Sequence, residues 1–166
     1  MNYELQLDIT RFLYCEAQLL DHHQYLEWLD LLSKDLRYRV PVRVTRERKE
    51  GSDVVYEMTY FDETYASLER RVRRLYVKSA WVADPPPRQH HLVTNILVEP
   101  GDTPDTCRAS SVVLVLRSRG SVEELDRIVG EREDTFRREE GQWKLLSRDV
   151  RVDEAVLHAI NLSMFL

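Results

Sequence analysis

The N-terminal part of the chain has the apolar spacing of amphipathic helices. From Ile9 to Leu20 apolar residues recur three and four positions apart, so they share one helical face, and Asp8 can act as the N-cap. A third helix is predicted from Glu63 to Lys78, with Asp62 as its N-cap. Between them, a short second helix is predicted from a stripe of apolar residues: Tyr25, Leu26, Leu29 and Leu32.

Other segments have the period of two that is typical of strands. Apolar and polar residues alternate from Leu36 to Thr45, which predicts a half-buried strand. Pro41 has no N–H to donate, so it indicates an edge position or a bulge. Glu47–Asp53 is charged and contains a glycine, which predicts a loop.

The second half of the chain predicts a run of strands. Three extended segments, Gln89–Glu99, Thr106–Arg117 and Leu125–Arg138, are separated by turn residues. Gly141 then predicts a hairpin into a last strand, Trp143–Val152.

Together these elements predict an α+β fold in a single domain, residues 1–166, with helices on a curved, mostly antiparallel sheet. Such a sheet would curl around a helix and enclose a pocket. The inward positions are expected to be apolar, as at Val113, Val115 and Leu145, with Asp149 and His91 as the ionisable candidates.

Composition excludes several classes of protein. The 166 residues carry 24 Lys and Arg against 29 Asp and Glu, a net charge of −5, which argues against a nucleic-acid binder. No apolar run is long enough to span a membrane, and none has the order of a signal peptide. With two cysteines, neither a disulfide framework nor a four-cysteine zinc site can form, so a cytoplasmic location is expected.

The candidate metal ligands lack workable spacing. Adjacent histidines diverge on a helix and point to opposite faces on a strand, so the pairs His22-His23 and His90-His91 are poorly placed to share a metal. Cys15 and Cys107 lack the neighbouring histidine of a Rieske iron–sulfur centre. We therefore expect no stoichiometric iron or zinc in this chain. A Ser/His/Asp triad stays possible, since its members lie far apart in sequence, but nothing in the sequence singles one out.

Four arginines crowd the predicted third helix: Arg70, Arg71, Arg73 and Arg74. Two interpretations stay open. They form a solvated face partly neutralised by Glu63 and Glu69, or they dock an acidic partner.

The segment Trp81–Asn95, WVADPPPRQHHLVTN, resembles the small (β) subunit of aromatic-ring-hydroxylating dioxygenases of the biphenyl and naphthalene type. Further segments agree with that family in the same order along nearly the whole chain. They are FLYCEAQLLD at 12–21, WLDLLSKDLRYRVPVR at 28–43, FDETYASLERRVRRL at 61–75, GEREDTFRR at 130–138, GQWKLLSRDV at 141–150 and NLSMFL at 161–166.

The resemblance implies a cone-shaped fold like that of nuclear transport factor 2. It also implies a large (α) subunit that carries a Rieske [2Fe–2S] cluster and a mononuclear Fe(II), in a hexamer of three large and three small subunits. Ferredoxin and reductase components would bring electrons from NADH for cis-dihydroxylation of an aromatic compound with O2. The resemblance implies that the small subunit is structural, with no catalytic residue, metal ligand or cofactor of its own.

The alternative is a stand-alone enzyme of the same fold, of isomerase or dehydratase type, with acid–base residues inside the pocket. A pocket enzyme would act alone, whereas a dioxygenase small subunit would not.

Two regions are expected to be buried by assembly or folding. The residues expected to touch another subunit are Arg73, Arg74, Trp81, Asp84, Pro85, Pro86, Arg88, His91 and Phe165. The tail Ala155–Leu166 is expected to be buried, because the last seven residues contain five large apolar side chains: Ile160, Leu162, Met164, Phe165 and Leu166.

Overall fold

The computed structural model describes residues 2–43, 54–76, 86–118, 125–153 and 165–166. The helices of this part of the chain are α1 (Tyr3–Asp21), α2 (Tyr25–Leu29) and α3 (Tyr65–Leu75). The strands are β1 (Leu32–Arg43), β2 (Val54–Thr64), β3 (Arg88–Pro100), β4 (Thr106–Ser118), β5 (Leu125–Glu139) and β6 (Gln142–Val152). The predicted loop Glu47–Asp53 lies entirely outside the described residues.

Both predicted helix caps are wrong. α1 begins earlier than predicted, because the Asn2 side chain accepts a hydrogen bond from the Leu5 N–H at 3.2 Å, and Asp8 lies inside the helix. α3 begins after Thr64, which forms a reciprocal capping box with Ser67. Asp62 instead lies in β2, a strand that the sequence analysis did not predict.

The strands form one mixed sheet in the order β2-β1-β6-β5-β4-β3, in which only β1 and β6 pair in parallel. Pro41 lies in β1 with register shifts towards β2 on both sides of it, so the predicted bulge is confirmed. The predicted hairpin at Gly141 is confirmed: Glu140 and Gly141 have φ values of 50° and 80°, the left-handed geometry of a tight turn.

Helix α1 runs along the edge strand β3 and covers it. The Gln6 side chain donates to the Ile96 carbonyl at 3.1 Å and accepts from the Val98 N–H at 3.2 Å. At the other end of the helix, Asp21 accepts from the His91 N–H at 3.0 Å. These bonds satisfy edge groups that would otherwise be open to pairing with another chain.

The core lies between α1 and the inner face of the sheet. Ile9, Leu13 and Leu20 are fully buried there, and the Phe12 ring meets that of Phe136 edge to face, with centroids 5.0 Å apart. The predicted inward positions are confirmed as buried: Val113, Val115 and Leu145.

Candidate functional site

The inner face of the sheet contains a buried ion cluster where a pocket was expected. The Arg148 guanidinium donates to both carboxylate oxygens of Glu16, at 2.9 and 2.8 Å, and to both of Asp134, at 2.8 Å each. Asp134 on β5 lies directly opposite Arg148 on β6, and Glu16 reaches them from α1. All three side chains are at most 1% exposed.

The electrostatics of this ion cluster favour the charged forms of Glu16 and Arg148. Burial alone would raise the pKa of Glu16, but the charges of Arg148 and Arg132 and the hydrogen bonds from Arg148 and Trp28 hold that pKa below its usual value. Burial likewise opposes the charge on Arg148, but Asp134 and Glu16 raise its pKa well above the usual range. Because arginine holds Glu16 as an anion, this carboxylate is not poised to take up a proton near neutral pH.

The last two residues of the chain close this interior. The Tyr38 hydroxyl donates to the Leu166 main-chain oxygen and accepts from the Leu166 N–H, both at 2.7 Å. The Phe165 ring packs against Trp28, with centroids 4.5 Å apart. Both end residues are at most 2% exposed, so the predicted burial of the tail is confirmed for them. The other predicted tail residues, Ile160, Leu162 and Met164, lie outside the described residues.

His91 joins the tail to α1. Its Nδ1 lies 2.6 Å from Asp21 Oδ1, and its Nε2 donates to the Phe165 carbonyl at 2.8 Å. The predicted inward position of His91 is confirmed, but both ring nitrogens are occupied by protein oxygens. In this arrangement the imidazole links two structural elements and does not face a substrate cavity.

Two predicted positions need correction. Asp149 lies on the outer face of the sheet, where Arg39 donates to both its oxygens at 2.7 and 2.8 Å. Arg71 is buried and does not lie on a solvated face, because its guanidinium stacks over the rings of Phe61 and Phe165, at 4.3 and 4.6 Å. Burial lowers the pKa of Arg71, and the nearby Glu63 partly offsets this effect.

The other candidate interface residues are spread over the surface. Arg73 and Arg74 are exposed at the end of α3, and Arg73 pairs with Glu69 at 2.9 Å. Pro86 and Arg88 are also exposed. Trp81, Asp84 and Pro85 lie outside the described residues. Of the predicted set, His91 and Phe165 are brought into direct contact.

A separate surface cavity of about 440 Å³ lies at the start of α1. It is lined by the first turns of that helix, by the turn between β3 and β4, and by Arg138 and Trp143. The Arg138 guanidinium stacks on the Trp143 ring at 4.7 Å.

The described residues contain no group of three or more His, Cys, Asp or Glu that could hold a metal ion. Cys107 is buried and Cys15 exposed, and burial raises the pKa of Cys107 to about 12. None of the described helices is both long and apolar enough to cross a membrane.

The sequence analysis missed the ion cluster, although one signal was available. On β5, Ile128, Arg132, Asp134 and Phe136 share a face through the period of two, so the two apolar residues show which charged ones point inward. Glu16 had no comparable signal, since a carboxylate on the buried face of a helix is uncommon.

The model of the ring hydroxylating beta subunit family matches residues 15–159. This chain belongs to that family. A curated relative, the biphenyl 2,3-dioxygenase subunit beta of Rhodococcus jostii strain RHA1, is 33% identical over 166 residues, which is 97% of this chain and 88% of the relative. A structure of naphthalene 1,2-dioxygenase with indole in its active site matches this ring-hydroxylating β subunit with a TM-score of 0.87 and 28% identity, covering 100% of this chain and 88% of the other.

The fold of this β subunit also occurs in proteins outside its family. A scytalone-dehydratase-like protein from Novosphingobium aromaticivorans DSM 12444 matches it with a TM-score of 0.66 at 17% identity, over 92% of this chain and 87% of the other. This likeness concerns the fold alone. It confirms the expected architecture related to nuclear transport factor 2, which serves both kinds of protein.

Proposed function

We propose that this chain is the non-catalytic, structural small subunit of a multicomponent dioxygenase. The dioxygenase adds both atoms of O2 to an aromatic ring and so forms a cis-dihydrodiol. Its role is to support the assembly of a large subunit. The assembly is a hexamer of three large and three small subunits, located in the cytoplasm. Ferredoxin and reductase components deliver electrons from NADH.

The observation that carries this proposal is the state of the interior. In the pocket enzymes of this fold, an acid or base must face a cavity that admits substrate. In the described part of this chain, Glu16 and Asp134 are instead bound to Arg148, and the end of the chain seals the space beside them. Acid–base catalysis inside the sheet is therefore disfavoured, and among the described interior residues none offers a free acid or base for a stand-alone isomerase or dehydratase.

The cofactors are assigned to the large subunit for a related reason. A Rieske cluster needs two cysteines and two histidines on one centre. Here one thiol is buried and the other exposed, and the described residues bring no such set together. The large subunit would supply the cluster and the mononuclear iron, and this chain would supply the surface on which that subunit assembles.

Reconstitution tests the proposal. The large subunit is recognised in a neighbouring reading frame by a Cys-x-His and Cys-x-x-His pair. We expect ring dihydroxylation when this subunit, this chain and the electron-transfer components are combined. Loss of assembly is expected when this chain is left out. Turnover of an aromatic substrate by this chain alone, or one tightly bound iron per chain after dialysis, would overturn it.

A further inference from the structure

One part of the outer face of the sheet, opposite α1, is aliphatic. Across β3, β4 and β5, the side chains that point away from the core fall in register, with Leu92 opposite Leu114 and Leu114 opposite Val129. Leu92 and Leu125 are 48% and 55% exposed, and the others are half-buried. We call this set the aliphatic face; its members are Leu92, Val112, Leu114, Leu116, Leu125 and Val129. No described helix or strand lies over it.

The rest of the outer face differs sharply in chemistry. On β6, β1 and β2 the outward side chains neutralise one another across the strands. Arg39 binds Asp149 in a bidentate pair, Arg37 lies 3.1 Å from Asp62, and Arg151 reaches Glu133 on β5 at 3.1 Å. A solvated sheet face normally looks like this half, so the aliphatic half stands out on the same surface.

One end of the aliphatic face is cationic. Arg88 begins β3 and Arg127 lies near the start of β5, both on the outer side and both exposed. Neither has an ion-pair partner among the described residues. The surface that fits this face therefore has an apolar centre and carboxylates at the Arg88 and Arg127 end.

The size of the aliphatic face suits the centre of an interface. Three strands about 4.8 Å apart and about seven residues long span roughly 300 Å². A standard interface covers about 800 Å² on each partner, with an apolar core inside a polar rim. The aliphatic face supplies such a core, and the arginine end supplies part of such a rim.

We propose that the aliphatic face is a docking surface for the large subunit. This inference rests on the proposed function, and on the three-to-three stoichiometry proposed there. A patch that pairs with the same patch on a second copy requires a twofold axis, which a ring of three copies lacks. Within that assembly the large subunit is the occupant we propose, with an apolar centre of its own and carboxylates opposite Arg88 and Arg127, which have no ion-pair partner among the described residues.

The decisive experiment compares two double variants of the full chain. Leu92→Glu with Leu125→Glu places two carboxylates on the aliphatic face. Leu7→Glu with Met58→Glu is the matched control, because these side chains are 68% and 60% exposed on α1 and β2. Binding to the purified large subunit is measured by titration, and thermal unfolding of each isolated chain shows that it has folded.

We expect the face variant to bind at least tenfold more weakly, and the control to bind like the wild type. Arg127→Glu should also weaken binding, with an effect that shrinks at high salt because exposed charges are screened. If the face variant bound the large subunit as tightly as the wild type, or if the control lost as much affinity as the face variant, the proposed docking surface would be wrong. A change in self-association of the isolated chain, with large-subunit binding kept, would assign the face to a second copy. If the wild type binds no large subunit, the proposed function itself fails.

Discussion

Replacing Arg148 by methionine tests the buried ion cluster directly. Arg148 makes four hydrogen bonds to Glu16 and Asp134, and a fifth to the Leu166 main-chain oxygen at 3.2 Å. The variant would leave both carboxylates buried. Glu16 would keep its hydrogen bond from Trp28 and its longer ion pair with Arg132, whose Nη1 lies 3.8 Å from Glu16 Oε2. Breaking a buried ion pair by removing one partner costs about 3–5 kcal/mol, and we expect a loss of that size at pH 7.

The loss should depend on pH. In the wild type the pKa of Glu16 is lowered, so its contribution to stability is present above its unfolded value and falls as pH drops through the folded one. In Arg148→Met the buried Glu16 loses its main cation, so its protonated form is favoured and folding is penalised most at neutral pH. The difference in unfolding free energy between the two proteins should therefore narrow from pH 7 to pH 5.

Urea unfolding followed by circular dichroism measures this difference at both values. Arg151→Met is the matched control, since Arg151 lies on the same strand and pairs with exposed carboxylates at the surface. Exposed pairs contribute about 0–1 kcal/mol. If Arg148→Met lost no more than this control, or lost the same amount at both pH values, the reasoning about the ion cluster would be wrong.

Four further predictions concern other parts of the chain. Phe165→Ala should lower the unfolding free energy by about 3–5 kcal/mol, because it empties the buried space beside Trp28. Deletion of residues 161–166 should give aggregated or unassembled protein. A truncated chain that is soluble and equally stable would contradict the burial of the tail. At pH 8 a disulfide reagent should titrate Cys15 but not Cys107 in the folded chain, and both thiols in urea, because Cys107 is buried with its pKa raised to about 12. Reversing the charges of Arg73 and Arg74 together should weaken assembly more than folding, and unchanged hexamer formation on a sizing column would assign both to solvent.

The strands that line the core could be predicted because apolar and polar residues alternate regularly along them. Val113 and Val115 on β4 point inward at a strict period of two, and the predicted strand has nearly the observed bounds. β2 was missed because its end, Asp62 to Thr64, is polar and resembles a helix start. These polar residues belong to a strand because they pair with β1, where Asp62 lies opposite Arg39, and this pairing cannot be read from the local sequence.

The candidate site was harder to predict, because charge alone does not show on which face of a strand a residue lies. Arg132 and Asp134 alternate with Glu131 and Glu133, so a shift of one residue in register would exchange an exposed row for a buried one. Helix N-caps are similarly ambiguous. Asp8 is an acceptable cap by type, but Asn2 lies where the helix in fact begins.

The described sheet has the usual placement of polar and apolar groups reversed in one region. On β4 and β5 the inward row includes Ser111, Arg132 and Asp134, while the outward row next to it includes Leu114 and Val129. Inside, every carboxylate of the ion cluster is paired with arginine, which keeps the buried charges tolerable but removes any free acid or base. Outside, the aliphatic side chains lose the stabilisation that burial would give, about 25 cal/mol per Å². In the described part of the chain, the buried charges are therefore paired with one another while the aliphatic face is left open, and the proposed docking of a large subunit would bury that face.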